Sequence, residues 1–216
     1  MINGIKKAIQ DKLYQDCIEE YRNALHCQTD PYLMWIRETE RTDSKEEESY
    51  PSLSVVYMEQ CGEDFSLDDL KKDIILFVSS DGKISPHAFR EVIEYFDSHQ
   101  DINVVYGDED IWYLPEGEDA EPDNELKHRM APWVKPMWSP DTLFSYLYFG
   151  NVFAVRRTAF AELKWLGMDD YRLNIYDFVL KVTEQGKRAG HIEQILFHKF
   201  WKGTDRDTVE AQVMST

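Results

Sequence analysis

Apolar residues change their spacing several times along this chain of 216 residues, and each change predicts a different element. From Ile5 to Leu25 they recur at three- and four-residue intervals (Ile5, Ala8, Ile9, Leu13, Cys17, Ile18, Tyr21), which predicts an amphipathic helix. A second helical piece holds Tyr32, Met34, Trp35 and Ile36, and the charged run RTDSKEEES at 41–49 reads as a linker. The expected organisation is a helical extension with its linker over residues 1–49 and a main domain over residues 50–216.

Beyond Tyr50 the pattern turns strand-like. Leu53 to Met58 predicts one strand. Asp73 to Val78, DIILFV, predicts another that is buried on both faces, because an unbroken apolar run suits a parallel sheet covered by helices. Residues 86–99 predict a helix with Pro86 in its first turn and Phe89, Val92, Ile93 and Phe96 on one face. Ile102 to Tyr106 is strand-like again, so strand, helix and strand imply a right-handed parallel crossover. Further along, the pattern predicts a strand at Asn151 to Val155, helices at Thr158 to Leu166 and Asn174 to Gln185, and a last strand at Ile195 to Phe200. The predicted class is α/β, with ligands received outside the carboxyl ends of the strands, where SSDG and GDED stand.

The sharpest local signal is INVVYGDED, Ile102 to Asp110, an apolar run that ends in three carboxylates. Alternation in an extended chain sends Asp108 and Asp110 to one side and Glu109 to the other. Two readings stay open on this segment alone: carboxylates converging on a ligand, or a solvated acidic turn.

Composition narrows the function classes. With 43% hydrophobic residues the main domain has an ordinary core, and 24 Lys+Arg against 41 Asp+Glu give a formal charge of −17. Such a field disfavours nucleic acid and anionic membrane as nonspecific partners, so neither is expected. Cys17, Cys27 and Cys61 form no metal-binding or disulfide spacing, which suits a reducing compartment. No stretch has transmembrane length, and the expected location is cytoplasmic.

Taken in order, ILFVSSDGKISPHAF, VVYGDEDI, WVKPMWSPDTLF, FGNVFAVRRTAF, YDFVLKV and ILFHKF resemble family 2 glycosyltransferases of the GT-A fold over roughly Asp73 to Phe200. The resemblance implies a GT-A-like mixed, mostly parallel sheet flanked by helices. It also implies a nucleotide-sugar donor, a carbohydrate acceptor, and Mg²⁺ or Mn²⁺ held by oxygen ligands to neutralise the departing diphosphate. By position, Asp81 matches the metal-binding carboxylate of the Asp-x-Asp turn, with Ser79 in place of the first Asp, and His198 matches the terminal histidine of the metal set. Each has a plainer reading as well: an Asp-Gly turn at Asp81 and a satisfied core histidine at His198. Asp108, Glu109, Asp110, Lys135 and Trp138 match the substrate side. Trp138 reads either as a stacking platform for a sugar or as a core residue.

Two departures from the family pattern set the functional expectation. The position of the acidic base is Ile175, which accepts no proton, leaving Asp177 as the nearest carboxylate to serve as catalyst. Between Met58 and Asp73 there is no room for the strand and helix units that line a nucleoside pocket, so the nucleotide half is shortened. The primary expectation is therefore a glycosyltransferase-like protein that is degenerate, weak or inactive alone. Its alternatives are an active metal-dependent enzyme with an unusual or partner-supplied donor site, and a non-enzymatic module that binds carbohydrate or a partner protein. A metal-dependent phosphoryl hydrolase built on the DED cluster has no nucleophile motif to support it. Arg156 and Arg157, at a strand end, are expected to pair with the acidic segment 116–125.

Overall fold

A computed structural model of the chain describes residues 31–40, 50–115, 128–184 and 188–203. The chain divides into two compact units, residues 1–40 and 41–216. In the first, the described part is helix α1, Pro31–Thr39, which follows the predicted second helical piece. The longer helix expected from Ile5 lies outside the described residues, as do the linker and the acidic segment 116–125.

The second unit is built on a mixed sheet. Its strands are β1 (Leu53–Tyr57), β2 (Ile74–Val78), β3 (Gly82–Ile84), β4 (Val104–Pro115), β5 (Arg129–Trp133), β6 (Val152–Arg156) and β7 (Ala189–Gly203). Spatial order among the described residues is β1, β2, β6, β4, β7, β3, with β5 on β4. The pairs β1 with β2 and β4 with β7 are parallel, and the other neighbours are antiparallel. Parallel pairing is thus a smaller share than the resemblance implied, because β6 inserts antiparallel between the two strands of the expected crossover.

Alternation within β2 distributes the core to two faces, as a strand's two-residue period requires. Ile75 and Phe77 join the cluster that holds Val56, Val104, Phe153, Phe178 and Val182. Ile74, Leu76 and Val78 join the other cluster, with Ala88, Val92 and Phe96. The first cluster is covered by helix α4 and the second by helix α2. All five residues of β2 are buried, as its unbroken apolar run predicted. Phe77 stacks on Phe153 at 5.0 Å between centroids and meets Phe178 at 5.3 Å. Burial of each such ring contributes about 1.5–3 kcal/mol.

The helices follow their apolar spacing. Helix α2, Ala88–Ser98, buries Ala88, Val92 and Phe96 at four-residue intervals. Helix α3, Pro140–Ser145, starts with Ser139 as cap, whose side chain accepts the Thr142 amide at 3.4 Å. Helix α4, Tyr171–Thr183, is capped by Asp170, which accepts the Arg172 amide at 3.0 Å. The helix predicted at Thr158 to Leu166 is instead a 3-10 turn, Arg157–Ala159, and irregular chain. Here long-range anchors override local spacing: Phe160 is buried, and the Trp165 indole donates to the Gly62 carbonyl at 3.1 Å.

The connection between β1 and β2 contains two 3-10 turns, Met58–Gln60 and Leu67–Asp69. It carries neither of the strand and helix units that a nucleoside-binding half requires, in agreement with the shortening read from the sequence.

Candidate functional site

The strand that carries Asp108, Glu109 and Asp110 does not end there. It continues to Pro115 alongside β7, in a parallel ladder running from the pair Val104 and Ala189 to the pair Pro115 and Gly203. This corrects the acidic turn expected after Tyr106, and the reason is long-range: β7 is fifteen residues long and pairs along all of β4. Irregularities flank Asp108 in the ladder. Gly107 lies against Leu196, whose side chain occupies the space of a Cβ.

All three carboxylates are buried, at 2%, 3% and 2% exposure, and all are paired internally. Asp108 accepts the Lys135 amide at 2.8 Å and His191 Nε2 at 2.7 Å. Glu109 accepts Lys135 Nζ at 2.5 Å and both the amide and side-chain nitrogens of Asn151 at 2.6 Å. Asp110 accepts Arg129 Nε at 2.6 Å and His198 Nδ1 at 2.5 Å. The Lys135 ammonium also donates to the Phe149 carbonyl at 2.5 Å. Burial lowers the Lys135 pKa, against the pull of Glu109 and Asp108, so its charge depends on these partners. Buried charges persist only when paired in this way.

His198 is 3% exposed and uses both ring nitrogens, with Ser85 Oγ 2.9 Å from Nε2. Ser85, His198 and Asp110 thus form a Ser-His-Asp chain, but the Ser85 hydroxyl lies 2.6 Å from the Ile195 carbonyl and is fully buried. The chain is an internal brace without access for a substrate. Asp81, by contrast, is exposed and faces Lys199 Nζ at 3.6 Å. The structure therefore gives Asp81 and His198 separate partners. Among the described residues no group of three or more His, Cys, Asp or Glu is placed to hold a metal ion. Asp177 pairs with Lys181 one helical turn on, at 2.5 Å. Trp138 is partly buried and packs on the core, 6.3 Å from Phe149 between centroids. Arg156 donates to the carbonyls of Ile102, Phe96 and His99 and lies over the Phe96 ring, at and just beyond the C-terminal end of α2, while the acidic segment expected to pair with it lies outside the described residues.

An open cleft of about 610 Å³ lies elsewhere on this unit. Met58, Glu59, Ser79, Asn151 and Ile175 line it, together with Trp133, Tyr146, Tyr171, Arg172, Tyr176 and Lys199. None of Asp108, Glu109, Asp110, Lys135, Trp138, Asp177, Asp81 and His198 lines it. Ile175, the matched base position, does, and is 1% exposed. Glu59 is the one carboxylate among the described lining residues. It accepts Ser79 Oγ at 2.7 Å and the Ser80 amide at 3.0 and 3.1 Å. Burial opposes ionisation of Glu59, yet the donors from Ser79 and Ser80 outweigh it and hold the pKa below the ordinary glutamate value. Glu59 escaped sequence reasoning because it sits in the 3-10 turn that follows β1, twenty residues before the turn it meets. The aromatic cleft residues Tyr146, Tyr171 and Tyr176 were not singled out from the sequence, because their meeting is a tertiary fact.

Gly150 joins the two regions. Its φ of +72° is the left-handed region that favours glycine, and a Cβ there would collide with Glu109 and Lys135.

No family model matches the sequence. Over 126 residues the chain is 33% identical to the O-antigen biosynthesis protein RfbC of Myxococcus xanthus, a match that covers 58% of this chain and 9% of that protein. The chain therefore corresponds to under a tenth of the length of this relative. Among solved structures, S. aureus TarS aligns with TM-score 0.40 and 11% identity, covering 62% of this chain and 37% of that one. Glucosyl-3-phosphoglycerate synthase from Mycobacterium tuberculosis, in complex with Mn²⁺, UDP-glucose and phosphoglyceric acid, aligns with TM-score 0.37 and 13% identity, covering 69% and 50%. Structural likenesses this distant carry no argument about the site. The chain is thus similar over 126 residues to an O-antigen biosynthesis protein, and the ordered motifs from Asp73 to Phe200, which resemble family 2 glycosyltransferases of the GT-A fold, lie on its mixed sheet and the helices beside it.

Proposed function

We propose that this domain binds carbohydrate in the cleft beside Ile175 and that, alone, it is weak or inactive as a sugar transferase. One observation carries the reading: the position matched to the acidic base is an isoleucine that lines the cleft, 1% exposed. A transferase needs a carboxylate there to take the acceptor proton. Asp177 is turned to Lys181, and Glu59 is committed to Ser79 and Ser80. What the cleft does offer is aromatic surface, with Trp133 39% and Tyr146 50% exposed, and ring faces suit the apolar face of a pyranose. The short link between β1 and β2 adds to the case by leaving little wall for a nucleoside. No helix among the described residues is long and apolar enough to cross a membrane.

The test is a thermal-shift titration with UDP-glucose, UDP-N-acetylglucosamine and GDP-mannose, each with and without Mn²⁺, alongside an assay of nucleoside diphosphate release. The reading predicts neither stabilisation nor release. A melting temperature that climbs with donor concentration would overturn it, since a ligand bound only by the folded state stabilises that state by mass action.

A further inference from the structure

The turn at Ser79 to Asp81 has the opposite polarity from one that grips a cation. A hard cation needs several oxygen ligands converging on one point. Here the first position supplies a hydroxyl, Ser79 Oγ, and the second a free amide, and both are donors given to the Glu59 carboxylate at 2.7 Å and at 3.0–3.1 Å. The remaining carboxylate, Asp81, faces an ammonium, Lys199 Nζ at 3.6 Å. Lys199 also lines the cleft, and its side chain is 38% exposed. His198, next in sequence to Lys199, spends its ring nitrogens on Asp110 and Ser85. The residues present therefore do not fit a divalent cation, and a lysine stands beside the acidic position that would hold it.

The same cleft is lined by Arg172, exposed and stacked over Tyr171 at 5.2 Å. Lys199 and Arg172 are the two basic side chains among the described lining residues. A chain with a formal charge of −17 repels small anions in general, so two basic groups facing one cleft make a local exception to its own field. Glu59, the one carboxylate among the described lining residues, is satisfied by its three donor contacts, and Asp81, outside the lining, stands 3.6 Å from Lys199 Nζ at 50% side-chain exposure. Guanidinium recognises a planar oxyanion through paired N–H donors, and lysine adds a point charge. The rings of Tyr146, Tyr176 and Trp133 line the same cleft.

We infer that the cleft binds an oxyanion-bearing saccharide directly, through Lys199 and Arg172, without a divalent cation. This rests on the carbohydrate-binding reading above and specifies its ligand class. The two sources of that chemistry are a sugar carboxylate and a sugar phosphate.

Calorimetric titration of the full chain decides the matter, using methyl glucuronoside, glucose 6-phosphate and methyl glucoside, each in EDTA and in MnCl₂. The expected result is at least tenfold tighter binding of one anionic sugar than of methyl glucoside, unchanged by Mn²⁺, and whichever anion leads distinguishes carboxylate from phosphate. Lys199→Met and Arg172→Met should each erase most of that preference while leaving the melting temperature in place. Equal binding of the neutral and anionic sugars would overturn this inference and leave the carbohydrate-binding reading intact. Anion binding that requires Mn²⁺ would overturn the inference as well. Failure of all three sugars to bind would overturn both.

Discussion

The buried carboxylate layer on β4 and the open cleft beside α4 use polar residues in opposite ways. In the layer every acidic side chain has two or more donors from the protein itself, and lysine, arginine and two histidines are sealed in with them. In the cleft, charged groups are few among the described lining residues, the rings are partly exposed, and the one carboxylate among them is held by a serine turn. The difference teaches that an acidic motif at a strand end is not by itself a reactive site. Once a long strand pairs beside it, its charges become the joints of the sheet, and the surface left open is where we propose that a ligand binds.

Breaking the layer should have the largest effect. Lys135→Met leaves Glu109 buried with Asn151 as its remaining donor, and loss of one partner from a buried ion pair costs about 3–5 kcal/mol. Denaturant unfolding would measure it, and a loss below ~1 kcal/mol would show that the layer is solvated in solution. Gly150→Ala should come next, at about 1–2 kcal/mol for a side chain forced into the left-handed region, with a further cost because the new Cβ displaces Glu109 and Lys135. Both variants belong to the sheet's joints, so their melting temperatures should fall together.

Changes confined to the cleft should leave stability nearly alone. Tyr146→Ala removes a half-exposed ring and should shift stability by no more than about 0.5 kcal/mol, whereas saccharide affinity should drop several-fold. Glu59→Gln sharpens the same contrast through pH. The folded-state pKa of Glu59 lies below its ordinary 4.5, so its stabilising contribution is present above that value and is lost as pH falls through the folded pKa. Melting temperatures measured from pH 6 downward should therefore fall more steeply below about 4.5 for the native chain than for the glutamine variant. Parallel curves would remove the bond to Ser79 and Ser80 from the account.

Much of the fold is legible locally because its signals are local. The unbroken apolar run of β2 and the four-residue spacing of α2 each describe the surface that the element buries. The true extent of β4 was not legible, since it depends on β7, which brings His191 and His198 from more than eighty residues away. Strand β5 escaped notice for a related reason: Pro132 interrupts it and Ala131 takes a φ of 47°, so only its pairing with β4 makes it a strand. The motif order was readable and pointed to a mixed sheet flanked by helices, which the structure has. The cleft was not, because Glu59, Tyr146, Arg172 and Lys199 come from four separate elements whose meeting is a tertiary fact.

The most direct test of the division between joint and cleft measures two quantities on two variants: melting temperature and anionic-sugar affinity for Lys135→Met and Tyr146→Ala. The account predicts a large loss of stability with near-native affinity in the folded fraction for the first, and native stability with several-fold weaker binding for the second. Native affinity in Tyr146→Ala, together with abolished binding in folded Lys135→Met, would place the ligand at the carboxylate layer and contradict it.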